Sequence, residues 1–418
     1  MKDTKVALIS LGCDKNTVDS EILLGQLARQ GAVFTPELEL ADVIIINTCG
    51  FLQEAVAESR EEIARAVAYK TAGSCQKVIV TGCAAMRYKA EFLAIPGVDE
   101  VLAQPDFALY DLRIPSTPRH YAYLRIAEGC DKNCTYCTIP QIRGSYRSRE
   151  LDGLLNEARR LASLGVRELI LVAQDTTLYG TDLYGGQKLH ELLAELSQID
   201  GVKWLRLLYC YPEHIYPEML AEMAQNPKVL PYIDLPIQHS VDKILRTMGR
   251  KSSEEMLRAK IDEIRAAMPE VVLRTTLITG FPGENKKDFQ ALCNFIEDIR
   301  FDNLGVFAYS REEGTPADKL DGHLPEKTKA ARRDRLMQLQ QRISAENLAF
   351  KAGSILEVVV EGFEDGVYFA RSYALAPDID GLIFIPADKP LKIGDFVHVR
   401  IIETYEYDML GEYYESAK

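Results

Sequence analysis

Short apolar runs alternate with longer amphipathic stretches along most of the chain. The first runs are VALISLGC (6–13), VIIINTC (43–49) and KVIVTGC (77–83). Between them, VDSEILLGQLARQG and EAVAESREEIARAVAYKTAG place apolar residues at helical spacing. This strand–helix order predicts a parallel sheet with covering helices. Six more strand–helix units follow, with strands expected at 123–129, 168–175, 204–211, 232–238, 272–280 and 303–310. They predict an open, partial barrel whose polar strand ends form an upper rim. The run EKTKAARRDRLMQLQQRISAENLAFKAG reads as a connecting helix on the barrel flank. Beyond Gly353, five short alternating strands predict a small closed β-barrel. The expected fold is α/β and multidomain: an N-terminal parallel α/β sheet domain (1–115), a central partial (β/α)6 barrel with its connecting helix (116–353), and a C-terminal small antiparallel β-barrel (354–418).

Composition narrows the setting. Apolar content of 47% and charged content of 27% are ordinary for globular proteins. No apolar stretch approaches the roughly 20 residues that span a bilayer. The N-terminal apolar run, Val6 to Leu11, is shorter than the roughly 7–15 residues of a signal core. Nine cysteines, an odd number spread over a long chain, argue against a disulfide framework and for a reducing cytoplasm. The net charge is −13, and residues 354–418 carry 13 acidic against 5 basic side chains. A module that grips nucleic acid should be basic. An acidic barrel repels phosphate and suits a basic protein partner instead; acidity for solubility alone is the alternative.

The chemistry lies in the cysteines. Cys130, Cys134 and Cys137 stand as C-x3-C-x2-C in a loop after an apolar strand. Three thiolates at this spacing can hold three irons of a cubane cluster and leave the fourth open to a ligand. A structural zinc site, the weaker alternative, needs four ligands, and no fourth Cys or His is nearby. Cys13, Cys49 and Cys83 each end one of the first three apolar runs. Ligand sites gather at the carboxyl ends of parallel strands, so these thiols are expected to converge as a second three-cysteine metal site. Burial as small hydrophobes is the other reading. Cys75, Cys210 and Cys293 share no such pattern, and Cys293 sits mid-helix, where packing is its expected role.

Polar residues at later strand ends are expected to face the same cavity: Gln174, Asp175 and Thr176, then Gln238 and His239, then Arg274, Gly280, Gly283 and Glu284. Such side chains could hold the amino, carboxylate and ribose groups of a bound nucleoside, and glycines let backbone approach it. Singly, each is as often an ordinary loop residue.

The run CDKNCTYC resembles the signature of radical S-adenosylmethionine enzymes. That resemblance implies a 4Fe–4S cluster on Cys130, Cys134 and Cys137, with S-adenosylmethionine on the fourth iron and Tyr136 near its adenine. With SLGC…NTCGF…TGC and the C-terminal barrel, the whole chain resembles the methylthiotransferases, whose second 4Fe–4S cluster would lie on Cys13, Cys49 and Cys83 and whose last domain is called TRAM. SLGCDKNTVDSE and VAQDTTLYGTD are similar to the branch that modifies an aspartate of small-subunit ribosomal protein S-twelve, the RimO family. Asp14 departs from the proline common there.

The resemblance implies cleavage of S-adenosylmethionine to methionine and a 5′-deoxyadenosyl radical, and hydrogen abstraction from the aspartate β-carbon. The second cluster would then deliver a methylated sulfur. It further implies a cytoplasmic enzyme and a reducing electron donor such as flavodoxin or ferredoxin. The sulfur source, and whether the substrate is met free or on the ribosome, stay open. No membrane partner and no direct tRNA substrate are expected. A tRNA adenosine methylthiotransferase and a non-catalytic iron–sulfur carrier are the alternatives.

Overall fold

The computed structural model describes residues 3–105 and 113–415. The N-terminal sheet comprises β1 (Lys5–Ser10), β2 (Val33–Phe34), β3 (Val43–Thr48), β4 (Lys77–Gly82) and β5 (Glu100–Val101), all parallel in the order β2-β1-β3-β4-β5. The two short edge strands add to the three expected. α1 (Asp14–Arg29), α2 (Gln53–Ala72), α3 (Cys83–Arg87) and α4 (Lys89–Leu93) connect them. Alternation along the strands makes two cores. Ala7, Ile44, Ile46, Val78 and Val80 pack with Val56 and Ile63 of α2; Val6, Val43, Ile45 and Ile79 pack with Leu27 of α1. Burial on both faces is what near-continuous apolar strands require.

The central sheet contains β6 (Tyr121–Arg125), then, after the pair β7 (Ala127–Glu128) and β8 (Arg147–Ser148), β9 (Glu168–Val172), β10 (Trp204–Leu207), β11 (Val229–Asp234), β12 (Val272–Thr279) and β13 (Asn303–Ala308). Its six strands are parallel and spatially sequential, β6-β9-β10-β11-β12-β13, with no closing bond between the ends among the described residues. Helices α5 (Ile139–Arg143), α6 (Leu151–Ser163), α7 (Leu189–Ser197), α8 (Pro217–Gln225), α9 (Asp242–Thr247), α10 (Glu254–Ala267) and α11 (Lys286–Ile299) lie among these strands. The capping box of Asn285 and Asp288 starts α11. α12 (Glu326–Ala349) buries Leu336, Leu339 and Ile343 on the barrel's outer core.

Six strands leave a lumen that neighbouring domains fill. Tyr121, Tyr123, Ile170, Val172, Trp204, Tyr232 and Val272 face inward and pack with Val18 and Ile22 of α1 and with Val359 and Ala376 of the C-terminal domain. Burying Val18 and Ile22 there contributes about 1.5–3 kcal/mol each.

The C-terminal domain closes β14 (Ile355–Glu364), β15 (Val367–Ser372), β16 (Ile383–Pro386), β17 (Phe396–Thr404) and β18 (Met409–Tyr413) into a barrel ordered β14-β15-β16-β18-β17. It is not wholly antiparallel as expected. β16 and β18 run parallel, because two antiparallel steps, through β17, separate β18 from the β14 edge while β16 closes the other side.

The expected strands also run too far. β1, β3 and β4 stop at Ser10, Thr48 and Gly82, so Cys13, Cys49 and Cys83 sit just beyond strands rather than in them. Gly12 and Gly82 have φ of +92° and +95°, which break the extended chain before the first and third thiols. The run 123–129 likewise splits: β7 leaves the large sheet to pair antiparallel with β8. That pair clamps the base of the intervening cysteine loop.

Candidate active site

The loop above the β7–β8 pair is tightly tied. Gly129 has a φ of +83°, and a Cβ there would lie 2.0 Å from the Ser145 carbonyl oxygen. Cys130 N–H donates to Gly144 O at 3.0 Å and Cys137 N–H to Cys134 O at 3.1 Å. Thr135 N–H and Oγ1–H anchor the loop to Met248 O and Thr247 O at the end of α9. Ile139 N–H points at Cys137 Sγ, 3.4 Å away. Burial, reinforced by the neighbouring thiols, pushes Cys130 up and Cys137 up to about 12. A metal held here would have to displace those protons, its positive charge taking their place.

The three N-terminal cysteines are neighbours, Cys13 lying near enough to act on both Cys49 and Cys83. Cys13 precedes α1, Cys49 follows β3 and Cys83 opens α3. A Cβ on Gly12 would stand 3.0 Å from Cys49 Sγ, and one on Gly50 would stand 2.6 Å from Ala84 N. Only glycine permits the turns to come this close. Burial, with a further rise from Cys13, pushes Cys49 up. Burial also pushes Cys83 up to about 11, against the pull of Arg143. Among the described residues, no three His, Cys, Asp or Glu side chains close on one ion position. A cubane instead takes each thiolate on a different iron.

Arg143, at the end of α5, joins the two triads. Its Nη2–H donates to Asn16 Oδ1 at 2.7 Å and to Cys83 Sγ at 3.3 Å. Its Nη1 pairs with Asp19 at 2.7 Å and Glu128 at 3.4 Å. Arg125 pairs with the same two carboxylates, at 2.5 Å and 2.8 Å. Two cations and two anions thus share one buried interface between α1 and the barrel rim. A second buried set fixes the same helix: Arg113 bridges Glu21 and Glu157, and Arg149 also holds Glu157. Glu312, beyond β13, accepts from Gln53 N–H at 2.9 Å and pairs with Arg87 at 3.0 Å. The N-terminal domain is therefore bound near both edges of the open barrel.

The residues expected to hold a nucleoside divide into two groups. Gln174 donates to Glu128 at 3.0 Å, which links it to Arg143. Asp175 is fully buried, takes Lys132 Nζ at 2.5 Å, and stands 2.8 Å from His214 Nδ1. Burial alone would raise its pKa; the His214 and Lys132 contacts outweigh this and hold the carboxyl below its usual range. Asp175 thereby anchors the cysteine loop through Lys132. Thr176 is spent on Leu208 O. The half-buried Tyr136 ring meets Phe281 edge-on at 6.4 Å. Gln238, with a φ of +68°, pairs its backbone with Thr276 and Ile278.

The others are engaged elsewhere. Arg274 pairs with Asp234 at 3.1 Å and with Asp380 of the C-terminal domain at 3.5 Å. Glu284 caps Gly280 N–H at 2.7 Å and pairs with Arg332 of α12 at 2.5 Å. Gly280 backs onto Lys329, whose Cγ a Cβ would meet at 2.5 Å, and Gly283 N–H bonds Gly322 O. His239 accepts from the N–H groups of Ser240 and Val241.

Sequence reasoning missed a cavity of about 190 Å³ beside the cysteine loop, lined by Cys134, Lys132, Tyr211, Glu213, His214 and Arg250. The Arg250 guanidinium lies 4.4 Å over the Tyr211 ring and donates to Pro236 O at 3.1 Å. Its Nη2 faces the Glu213 carboxylate at 3.4 Å, and among the described residues its Nε and Nη1 are buried with no hydrogen-bond partner. Buried donors of this kind call for an anionic oxygen. Tyr209 was missed as well: its hydroxyl donates to Asp14 at 3.0 Å, and Lys15 Nζ lies 3.3 Å over its ring. Arg250 and Tyr209 gain their roles only from distant partners, so no local pattern marks them.

Residues 5–103 match a model described as Uncharacterized protein family UPF0004, 124–296 match the Radical SAM superfamily and 352–413 match a TRAM domain. A solved radical S-adenosylmethionine methyltransferase, TsrM from Kitasatospora setae, is 13% identical with a TM-score of 0.56, covering 87% of this chain and 82% of its own. That likeness shows the fold: a radical S-adenosylmethionine barrel. Ribosomal protein uS12 methylthiotransferase RimO of Clostridium kluyveri is 46% identical over 100% of both chains. Its counterpart in Acetivibrio thermocellus is 46% identical over 98% of both. The chain belongs to the family of uS12 methylthiotransferases, RimO. No helix among the described residues is long and apolar enough to cross a membrane.

Proposed function

We propose that this protein adds a methylthio group to the β-carbon of an aspartate in ribosomal protein uS12, acting in the cytoplasm with a small reducing protein as electron donor. The observation that carries the reading is the pair of three-cysteine sites held together through Arg143, in a chain of full-length similarity to uS12 methylthiotransferases. Cys130, Cys134 and Cys137 would hold one 4Fe–4S cluster, and Cys13, Cys49 and Cys83 a second. Bound cluster and S-adenosylmethionine supply the radical chemistry that an unactivated C–H bond demands. The protein's own groups do the rest.

Arg250 lines the cavity beside Cys134 and has two unshared nitrogens, Nε and Nη1, which the cofactor carboxylate would complete. Asp175 steadies Lys132, and with it the loop that carries the cysteines. Tyr121, Tyr123 and Tyr232 fill the lumen and exclude water from below. The acidic C-terminal barrel suits a basic ribosomal protein.

Anaerobic reaction with unmodified uS12 and, separately, with tRNA tests the reading, with mass spectrometry for an added methylthio group. Label on uS12 alone is expected; label on tRNA alone overturns the assignment.

A further inference from the structure

Arg143 occupies an unusual position. It ends α5, the helix that follows directly on Cys137, yet its guanidinium reaches the thiol of Cys83 in another domain at 3.3 Å. The side chain is buried, and its fork is fixed from two sides, by Asn16 and Asp19 on α1 and by Glu128 at the base of the cysteine loop. Asn16 also accepts from Cys83 Sγ, at 3.3 Å. The cation therefore cannot leave the thiol without breaking buried ion pairs.

We propose that Arg143 is a positioning residue for a cluster on Cys13, Cys49 and Cys83: it donates a hydrogen bond to the Cys83 ligand sulfur, sets that cluster's potential, and fixes its distance from the Cys130 loop. The inference rests on the reading of the N-terminal triad as a cluster site. Hydrogen bonds to cluster sulfurs, and nearby positive charge, stabilise the more negative reduced state and raise the potential. Because the same guanidinium is pinned to Glu128, movement of either loop is transmitted to the other.

The test uses the full chain with Cys130, Cys134 and Cys137 changed to Ala, reconstituted anaerobically so that iron resides only at the N-terminal triad, and followed by electron resonance during redox titration. Arg143→Gln should shift the midpoint to a more negative value and alter the resonance signature. Arg143→Lys, which keeps the charge but lacks the fork that reaches Asn16 and Cys83 together, should fall between. Glu21→Gln, which disturbs another buried ion pair of α1, should match the parent. An iron-loaded Arg143→Gln with the parent's midpoint and signature overturns the role of Arg143 and leaves the second cluster standing. A parent that binds no iron overturns both. Should Arg143→Gln lose its iron, Arg143→Lys decides: an unchanged midpoint overturns the proposal and a shifted one supports it.

Discussion

The hydroxyl of Tyr209 donates to Asp14 at 3.0 Å, joining the end of a barrel strand to the first turn of α1, one residue beyond Cys13. Tyr209 has a φ of +60°, an uncommon conformation for a non-glycine residue that only a firm environment maintains. Asp14 gives this hydroxyl its acceptor. Tyr209→Phe should lower interdomain stability by about 0.5–1.5 kcal/mol. Chemical denaturation of the apoprotein would read the loss, and iron content after reconstitution should stay unchanged.

Replacing Cys130, Cys134 and Cys137 together with Ala should abolish 5′-deoxyadenosine formation and leave about four irons per chain. Iron and sulfide analysis of anaerobic protein gives the count. Complete loss of iron would contradict a second site.

Gly12→Ala should weaken the N-terminal triad alone. At φ +92° with Cys49 3.0 Å from the new methyl, strain of about 1–3 kcal/mol falls on the turn that aims Cys13. The variant should lose its N-terminal iron first under chelator challenge while still cleaving S-adenosylmethionine.

Arg250→Gln removes the charge and the unshared donor pair beside Cys134. Hydrogen bonds to charged groups contribute about 1.5–3 kcal/mol, so S-adenosylmethionine should bind about 10- to 100-fold more weakly to cluster-loaded protein. Equilibrium dialysis measures this, with iron content as the control.

Acid should detach the C-terminal domain. Glu168 is buried between Arg206 and Arg371 at 2.7 Å and 2.6 Å. Burial opposes its ionisation, but Arg371 and then Arg206 outweigh burial and hold the carboxyl below its ordinary range. A folded pKa below the unfolded one, about 4.3, gives stability that is complete above that value and is lost as pH falls through the folded one. Glu361, bound to Arg371 and His120, is shifted the same way. Trp204, the single tryptophan, stands edge-on to Phe396 of the C-terminal barrel at 4.7 Å. Its emission should therefore report the separation below about pH 4. Glu168→Gln should cost about 3–5 kcal/mol and bring the same change at neutral pH.

The positions of both cysteine sets relative to the strands were legible because each lies at a recognisable place in a local pattern: one in a single loop, the other after three successive apolar runs. Strand number and order in the central barrel followed from the same periodicity. Strand ends were not legible, since Gly12 and Gly82 halt β1 and β4 through backbone conformation rather than polarity. The parallel joint between β16 and β18 depends on barrel closure, which no single strand encodes. Arg274 and Glu284 read as cofactor contacts by position, yet their charges are met by Asp380 and Arg332, far along the chain. Arg143 reads as an unremarkable helix end until the fold brings Cys83 beside it.

Val359 and Ala376 reach into the barrel lumen from the C-terminal domain. Deleting that domain would uncover the lower end of the barrel lumen as well as remove an acidic surface. A truncated protein that fails to modify its target would therefore say little about recognition. Grafting experiments that exchange this domain between relatives must keep its inward-facing side chains, or the lumen residues they cover will meet solvent.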